Sequence, residues 1–239
     1  MLLPPRSLAT LAVLASLVAS PAAALTIDSF EVGSFGWSHM GDPVLGSPDP
    51  PATHEWSGYP TEEVVGGSRW VSVVAYGTDH SAAMGLSNTA EDDRVGMGSI
   101  TYSPPEGRTA LYALGWDGVG NGGPDGSAGG LAVDLSLNSS IVVDAPIASG
   151  SPTLELTLYS SSSEASVAVT LVQGPNVFAL SGFDGLDLAD VRAIRLDVIG
   201  LPPHNNVQFS SVRAVPEPAP AMLLAVGLAG LAVSARRRN

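Results

Sequence analysis

Apolar and polar residues alternate with a period of two along three segments of this chain, and this pattern constrains the fold more than any other feature. The segments cover residues 153–159, 166–172 and 192–199. Their apolar positions are Leu154, Leu156, Leu158, Val167, Val169, Leu171, Ile194, Leu196 and Val198. Alternation of this kind is typical of antiparallel strands that pack one face on a core. We therefore expect the apolar positions to point inward, with Arg195 and Asp197 pointing outward.

Further extended segments are separated by clusters of Gly, Pro, Ser and Asn, which are turn formers. The weaker strand predictions are Arg69–Tyr76, Ala110–Gly115, Gly130–Leu137, Ile141–Val143, Asn176–Leu180 and Val207–Val212. Many short strands with turns between them predict an all-β fold, an antiparallel β-sandwich. Leu186–Val191 is predicted as one helical turn that Asp187 caps.

Composition narrows the possible functions. The chain has 239 residues, enough for a sizeable hydrophobic core. It contains no cysteine, which excludes disulfides, thiolate metal sites and a cysteine nucleophile. Between Leu25 and Arg213 there are six arginines, no lysine and 22 carboxylates, a net charge of −16. A body this acidic repels phosphate backbones, so nucleic acid is excluded as a partner.

The first 24 residues have the layout of a secretory signal peptide. Arg6 precedes an apolar run from Leu8 to Ala19, and small residues from Ala22 to Ala24 follow. The run is shorter than the roughly 20 residues that span a bilayer. We therefore expect cleavage after Ala24, at the small-residue site formed by Ala22 and Ala24, and export of the rest of the chain. An uncleaved membrane anchor is the alternative.

The last 26 residues also have the features of a sorting segment. Pro216, Glu217 and Pro218 precede an apolar stretch from Ala219 to Ala235, and the chain closes on the arginine cluster Arg236, Arg237 and Arg238 before Asn239. As a helix the stretch would be roughly 25 Å long, enough to cross a thin bilayer. Arginines at its end would stay in the cytoplasm and leave the body on the other side.

This order of a Pro-Glu-Pro tripeptide, a short transmembrane helix and terminal arginines resembles the PEP-CTERM sorting signal of Gram-negative bacteria. The resemblance implies that an exosortase recognises residues 216–218 during transient insertion in the inner membrane. It also implies a location at the cell surface or in the extracellular matrix, and an association with exopolysaccharide or biofilm. An ordinary C-terminal anchor with a chance Pro-Glu-Pro is the alternative.

The body, residues 25–213, resembles jelly-roll domains of the galactose- or carbohydrate-binding type. The resemblance rests on the order of short motifs at residues 26–31, 66–73, 114–118, 129–135 and 187–198. The expected organisation is a signal peptide over residues 1–24, a β-sandwich over 25–213 and a sorting signal over 214–239.

Residues that could carry chemistry are sparse. The four histidines have no metal-ligand spacing, and no Gly-x-Ser-x-Gly elbow supports a catalytic triad. We therefore expect no enzyme and no cofactor, although a structural Ca²⁺ is an open possibility. Its candidate ligands are Asp117, Asn121 and Asp125 in a Gly-rich loop, or Asp28 and Glu31 near the first strand.

Aromatic residues in loops are the remaining candidates for a binding site, since sugar rings stack on exposed aromatic faces. Trp56 and Tyr59 lie in a Pro-rich segment without a strand pattern, so we expect a loop there. They are the candidate carbohydrate-binding residues, with loop anchoring as the alternative. Trp70 and Trp116 lie on strand-like segments and are expected in the core.

Together these features predict an exported, non-enzymatic protein of the cell surface or extracellular matrix. A carbohydrate-binding module with a defined sugar site is the alternative, and a matrix polysaccharide hydrolase is a weaker one.

Replacing Pro216, Glu217 and Pro218 by alanine should leave the protein in the inner membrane at its unprocessed C-terminal mass. The physical reason is that the prolines keep this segment extended and open to a membrane peptidase. Intact-mass measurement on fractionated cells tests both chain ends at once. An alanine variant that is processed and reaches the surface like the unmodified protein would show that the tripeptide is incidental.

Overall fold

The computed structural model describes residues 23–32, 35–40, 52–57, 61–76, 81–88, 98–104, 109–119, 130–202 and 204–217. Residues 25–215 form one compact unit. Among the described residues, no helix has the length and apolar character needed to cross a membrane.

The described part of the chain is built from fifteen strands and two short 3₁₀ turns, Val65–Gly67 and Leu180–Gly182. The strands are β1 Leu25–Asp28, β2 Phe35–Met40, β3 Ala52–Ser57, β4 Ser68–Tyr76, β5 Ser81–Asn88, β6 Gly98–Ser103, β7 Thr109–Trp116, β8 Asn138–Ala145, β9 Ile147–Ala148, β10 Thr153–Ser160, β11 Glu164–Thr170, β12 Gly174–Ala179, β13 Val191–Leu201, β14 Val207–Phe209 and β15 Ser211–Pro216. The all-β prediction is confirmed.

The strands form three sheets. Their orders are β1-β15-β8-β12, β11-β10-β13-β7-β4-β3 and β2-β5-β6-β14-β9. Strands with a described register pair antiparallel; in the six-stranded sheet, for example, β10 pairs with both β11 and β13. This is the predicted antiparallel sandwich.

One hydrophobic core joins the three sheets. The six-stranded sheet contributes the inward residues of β10 and β13, and the other two sheets face them across the core. Fully or almost fully buried members are Leu154, Leu156, Leu158, Ile194, Leu196, Val198, Tyr112, Ile141, Val143, Phe178, Ile100, Tyr102 and Phe209. The inward positions predicted from the alternation of β10 and β13 are therefore confirmed, because each lies in this core.

A buried ion pair connects the first strand to the six-stranded sheet. Arg69 on β4 donates to both carboxylate oxygens of Asp28 at 2.5 Å, and the two side chains are 1% and 0% exposed. The indole of Trp116 donates to the same carboxylate at 2.8 Å, as does the backbone N–H of Phe30. The Arg69 guanidinium also lies 5.0 Å from the centre of the Phe30 ring.

Two strand predictions are corrected. Residues 130–137 form no strand but only an isolated bridge between Val133 and Val191, because Ala132 has a φ of 51° that interrupts the extended backbone. Residues 207–212 split at Ser210, whose N–H donates to the carbonyl of Asp144, so β14 and β15 belong to different sheets.

The predicted helical turn at residues 186–191 is also wrong in type. Asp187 accepts hydrogen bonds there, from Ala189 N–H at its side chain and from Asp190 N–H at its carbonyl. These bonds close a turn rather than a helix, and β13 begins immediately afterwards.

Replacing Asp28 with Asn should lower the free energy of unfolding by about 3–5 kcal/mol, because the Arg69 charge would stay buried without its carboxylate. Urea denaturation of the exported protein measures this loss. Asp144→Asn is the matched control, since Asp144 forms a partly exposed ion pair with Arg213 at 2.9 Å. Exposed pairs contribute about 0–1 kcal/mol. Equal losses in the two variants would contradict the role given to the buried pair.

Candidate functional site

The face of the six-stranded sheet that points away from the core is here called the polar face. Its residues alternate with the core leucines and isoleucines on β10 and β13. In register, Glu155 is opposite Asp197, Thr157 is opposite Arg195, and Tyr159 is opposite Ala193. The outward set of one strand therefore lies directly beside the outward set of its neighbour.

The polar face carries an ion pair on β13. Arg195 Nε donates to Asp197 Oδ2 at 2.8 Å, and Arg195 Nη2 donates to Oδ1 at 2.8 Å. The Asp197 side chain is 7% exposed and that of Arg195 is 26% exposed. The prediction that both point away from the core is correct, but Asp197 is buried by its surroundings on the polar face.

Burial and pairing set the charge states of this pair. Burial raises the pKa of Asp197, and the hydrogen bonds and charge of Arg195 offset only part of that rise. Burial lowers the pKa of Arg195, but the hydrogen bonds and charges of Asp197 and Tyr159 together outweigh it and hold that pKa above its ordinary value. The guanidinium is therefore a permanent cation held in a fixed plane.

Tyr159 extends this cluster toward the sheet edge. The Arg195 guanidinium hydrogen-bonds its phenol, and burial raises the pKa of Tyr159, with the charge of Arg195 opposing the rise. The ring is half-buried and faces Glu164 of β11 in register. A neutral phenol, a guanidinium and a carboxylate thus lie side by side on neighbouring strands.

The polar face has an open half and a covered half. The open half consists of β11, β10 and β13, where Glu155 and Tyr159 are half-buried and Ser166 is exposed. Ser166 shares a 2.8 Å hydroxyl–hydroxyl hydrogen bond with Thr157. Side chains of this half can contact a ligand without any rearrangement of the sheet.

The covered half lies on β7 and β4. Ser72, Ala113 and Trp70 are 3%, 1% and 1% exposed there. The Trp70 indole packs against Gly115, where a Cβ would fall 1.9 Å from the indole ring. Trp70 is buried as predicted, but it belongs to this covered half rather than to the central core cluster.

The structure corrects the setting of one predicted binding residue. Trp56 is in β3, paired in register with Arg69 of β4, and not in a loop. The prolines flanking this segment suggest a loop in the sequence, yet the residues between them continue the sheet as its edge strand. Tyr59 lies outside the described residues.

Asp28 is not a calcium ligand, because Arg69, Trp116 and the Phe30 N–H already occupy its carboxylate. Asp117 is buried at the end of β7, and Asn121 and Asp125 lie outside the described residues. Within the described ranges, no group of three or more His, Asp or Glu side chains is arranged to hold a metal ion.

The predicted processing sites fall at the ends of strands or beyond the described residues. Ala24 is exposed immediately before β1, and Pro216 is the last residue of β15, followed by the exposed Glu217. Ala22, Pro218, the helix predicted at 219–235 and the arginines at 236–238 lie outside the described residues.

Sequence reasoning missed the cluster of Tyr159, Arg195 and Asp197 as a site. The available signal was the alternation itself, which assigned Arg195 and Asp197 to outward positions and gives Tyr159, one residue after the inward Leu158, the same orientation. What the sequence does not contain is the pairing of β10 with β13, two strands separated by 30 residues.

No protein-family model and no curated protein matches this chain. Several solved structures have a similar chain path. The family 11 carbohydrate-binding module of the cellulase Lic26A-Cel5E from Clostridium thermocellum has 11% identity and a TM-score of 0.37, covering 82% of this chain and 96% of that one. The module TmCBM61, solved with β-1,4-galactotriose, has 12% identity and a TM-score of 0.33, covering 61% and 88%. A CBM29-2 mutant solved with mannohexaose has 10% identity and a TM-score of 0.31, covering 77% and 92%. At these values the likeness assigns no ligand to this chain.

Proposed function

We propose that this protein is an exported, non-enzymatic polysaccharide-binding protein of the cell surface or extracellular matrix, and that the open half of the polar face is its binding surface. The observation that carries the proposal is the cluster of Tyr159, Arg195 and Asp197. Sugar hydroxyls donate and accept hydrogen bonds, so they suit a surface that presents the Tyr159 phenol, the Glu155 carboxylate and a guanidinium that Asp197 holds in a fixed position. The half-buried ring of Tyr159 adds an apolar face for the C–H side of a sugar.

Charge favours a neutral glycan over an anionic one. The two arginines of β13 are each paired with an aspartate, Arg195 with Asp197 and Arg192 with Asp190, and the open half also carries Glu155 and Glu164. The surrounding body has a net charge of −16. A uronic or sulfated polymer would approach against this field, whereas an uncharged polymer would not.

Binding is preferred to hydrolysis because of how Asp197 is held. Glu155 and Asp197 are opposite each other on neighbouring strands, as a pair of catalytic carboxylates would be. Both oxygens of Asp197, however, accept hydrogen bonds from Arg195. This arrangement suits fixed recognition of a ligand better than the proton transfer that glycoside hydrolysis requires.

The two ends of the chain direct the protein to its location outside the cell. The signal peptide at residues 1–24 exports the chain, and the PEP-CTERM-like tail from 214 to 239 hands it to an exosortase after transient insertion in the inner membrane. The partners proposed for the mature protein are extracellular polysaccharides, in keeping with a role in exopolysaccharide or biofilm.

Tyr159→Ala should weaken binding to a neutral polysaccharide by about tenfold, equivalent to about 1.4 kcal/mol, because the ring and its phenol both leave the surface. Affinity electrophoresis of the exported protein in gels containing galactan, mannan or an anionic polymer measures this effect. The galactan and mannan gels should retard the unmodified protein, and the anionic gel should not.

The matched control is Trp56→Ala combined with Tyr59→Ala, the aromatic pair that the sequence alone suggests. This double variant should keep its binding if the open half is the site. If binding is lost in the double variant and kept in Tyr159→Ala, the glycan surface lies at β3. If no polymer retards the unmodified protein, polysaccharide binding itself is wrong.

A further inference from the structure

Strand β11 forms one edge of the six-stranded sheet, and apart from the charge of Glu164 at its first position it lacks the features that block strand addition. It runs for seven residues from Glu164 to Thr170 and pairs with β10 in an uninterrupted register, without a bulge. It contains no proline, glycine, lysine or arginine. Edge strands that must stay unpaired are normally short, bulged, charged or interrupted by proline.

The other edge strands with described side chains have these protective features. In the four-stranded sheet, β12 begins with Gly174 and Pro175, and β1 is four residues long with a register shift before Asp28. In the five-stranded sheet, β9 is two residues long. Within this set, β11 alone is long and regular.

The outward row of β11 backbone groups is open within the described structure. Its backbone hydrogen bonds go to β10, and no turn or loop bond of the described residues involves positions 164–170. The side chains alternate along the strand between exposed positions and the half-buried Ala165, Val167 and Val169. These three are apolar, and their incomplete burial arises where the sheet ends.

We propose that a second copy of this chain adds to this edge, with its β11 antiparallel to the first and a two-fold axis at Val167. The strand is self-complementary in that register. Val167 pairs with Val167 of the second copy, Ala165 with Val169, Ser166 with Ala168, and Glu164 with Thr170. The three half-buried apolar positions, Ala165, Val167 and Val169, face one another across the axis, and apolar cross-strand pairs stabilise a sheet.

The charges also fit a second copy. Glu164 carries the one charge on the strand, and antiparallel pairing sets the two glutamates at opposite ends, roughly 20 Å apart at about 3.4 Å per residue. Parallel pairing in register would put them side by side, where like charges destabilise a pair. The charge of Glu164 therefore favours antiparallel over parallel pairing of the two β11 strands.

Strand addition would make the two six-stranded sheets continuous. Because β11 borders the open half of the polar face, the Tyr159 and Arg195 clusters of both copies would lie on one extended surface. Two linked sites bind a polymer more tightly than one, because the second contact becomes intramolecular. The dimer itself does not rest on the proposed function.

Sedimentation equilibrium of the exported protein without glycan tests the dimer. We expect twice the mass of one chain at 0.15 M salt, with weaker association at low salt because both bodies are acidic. A single-chain mass at all concentrations would overturn the proposal whatever the outcome of the glycan experiments.

The register is tested by crosslinking, which is clean because the chain has no cysteine of its own. Val167→Cys should be joined to its counterpart by a short bismaleimide, since the two positions meet on the axis. Ala179→Cys, exposed on β12, is the control and should remain uncrosslinked. Crosslinking of the control alone would place the interface at another edge.

A charge variant supplies the converse test. Ser166→Lys with Ala168→Lys places lysines opposite lysines across the axis and should give single chains that retain the circular dichroism spectrum of the folded protein. The control, Ala179→Lys with Ser181→Lys, adds the same charge at exposed positions away from β11 and should leave the dimer intact. Dimers in both variants would contradict the proposal.

Discussion

The buried pair of Asp28 and Arg69 is the interaction on which the arrangement of the sheets depends. Asp28 ends β1, which pairs with β15, and Arg69 lies on β4 of the six-stranded sheet. Removing two charges from water is costly unless they meet with good geometry and further hydrogen bonds. Trp116 and the N–H of Phe30 supply those bonds, and β1 brings the carboxylate that compensates the buried Arg69 charge.

The strands that contribute apolar side chains to the core also carry polar side chains on their opposite face. β10 and β13 alternate between core residues and the cluster of Tyr159, Arg195 and Asp197. Rigid strands hold such a cluster more accurately than loops do. The proposed glycan surface and the proposed dimer edge both follow from this sheet, because β11 completes the polar face and also ends it.

The sequence predicts the fold wherever the signal is local. Alternation gives β10 and β13 with their inward residues, because it depends only on neighbouring positions. The prediction fails where the backbone conformation does not follow the local pattern. Ala132 has a positive φ that interrupts a strand-like segment. Trp56 lies in an edge strand of the sheet despite the flanking prolines. Asp28 and Arg69 are 41 positions apart, and no local pattern in the sequence indicates that they pair. For this reason the buried carboxylate of Asp28 is a candidate calcium ligand in the sequence analysis.

We propose that a neutral glycan binds the open half of the polar face, and backbone amide NMR during a titration reports which strands the glycan contacts. With a neutral oligosaccharide, we expect shifts in the amides of β10, β11 and β13, centred on Tyr159 and Arg195. Amides of β12 on the four-stranded sheet, such as that of Val177, should not move. Shifts confined to β3 around Trp56, or to β12, would contradict the account.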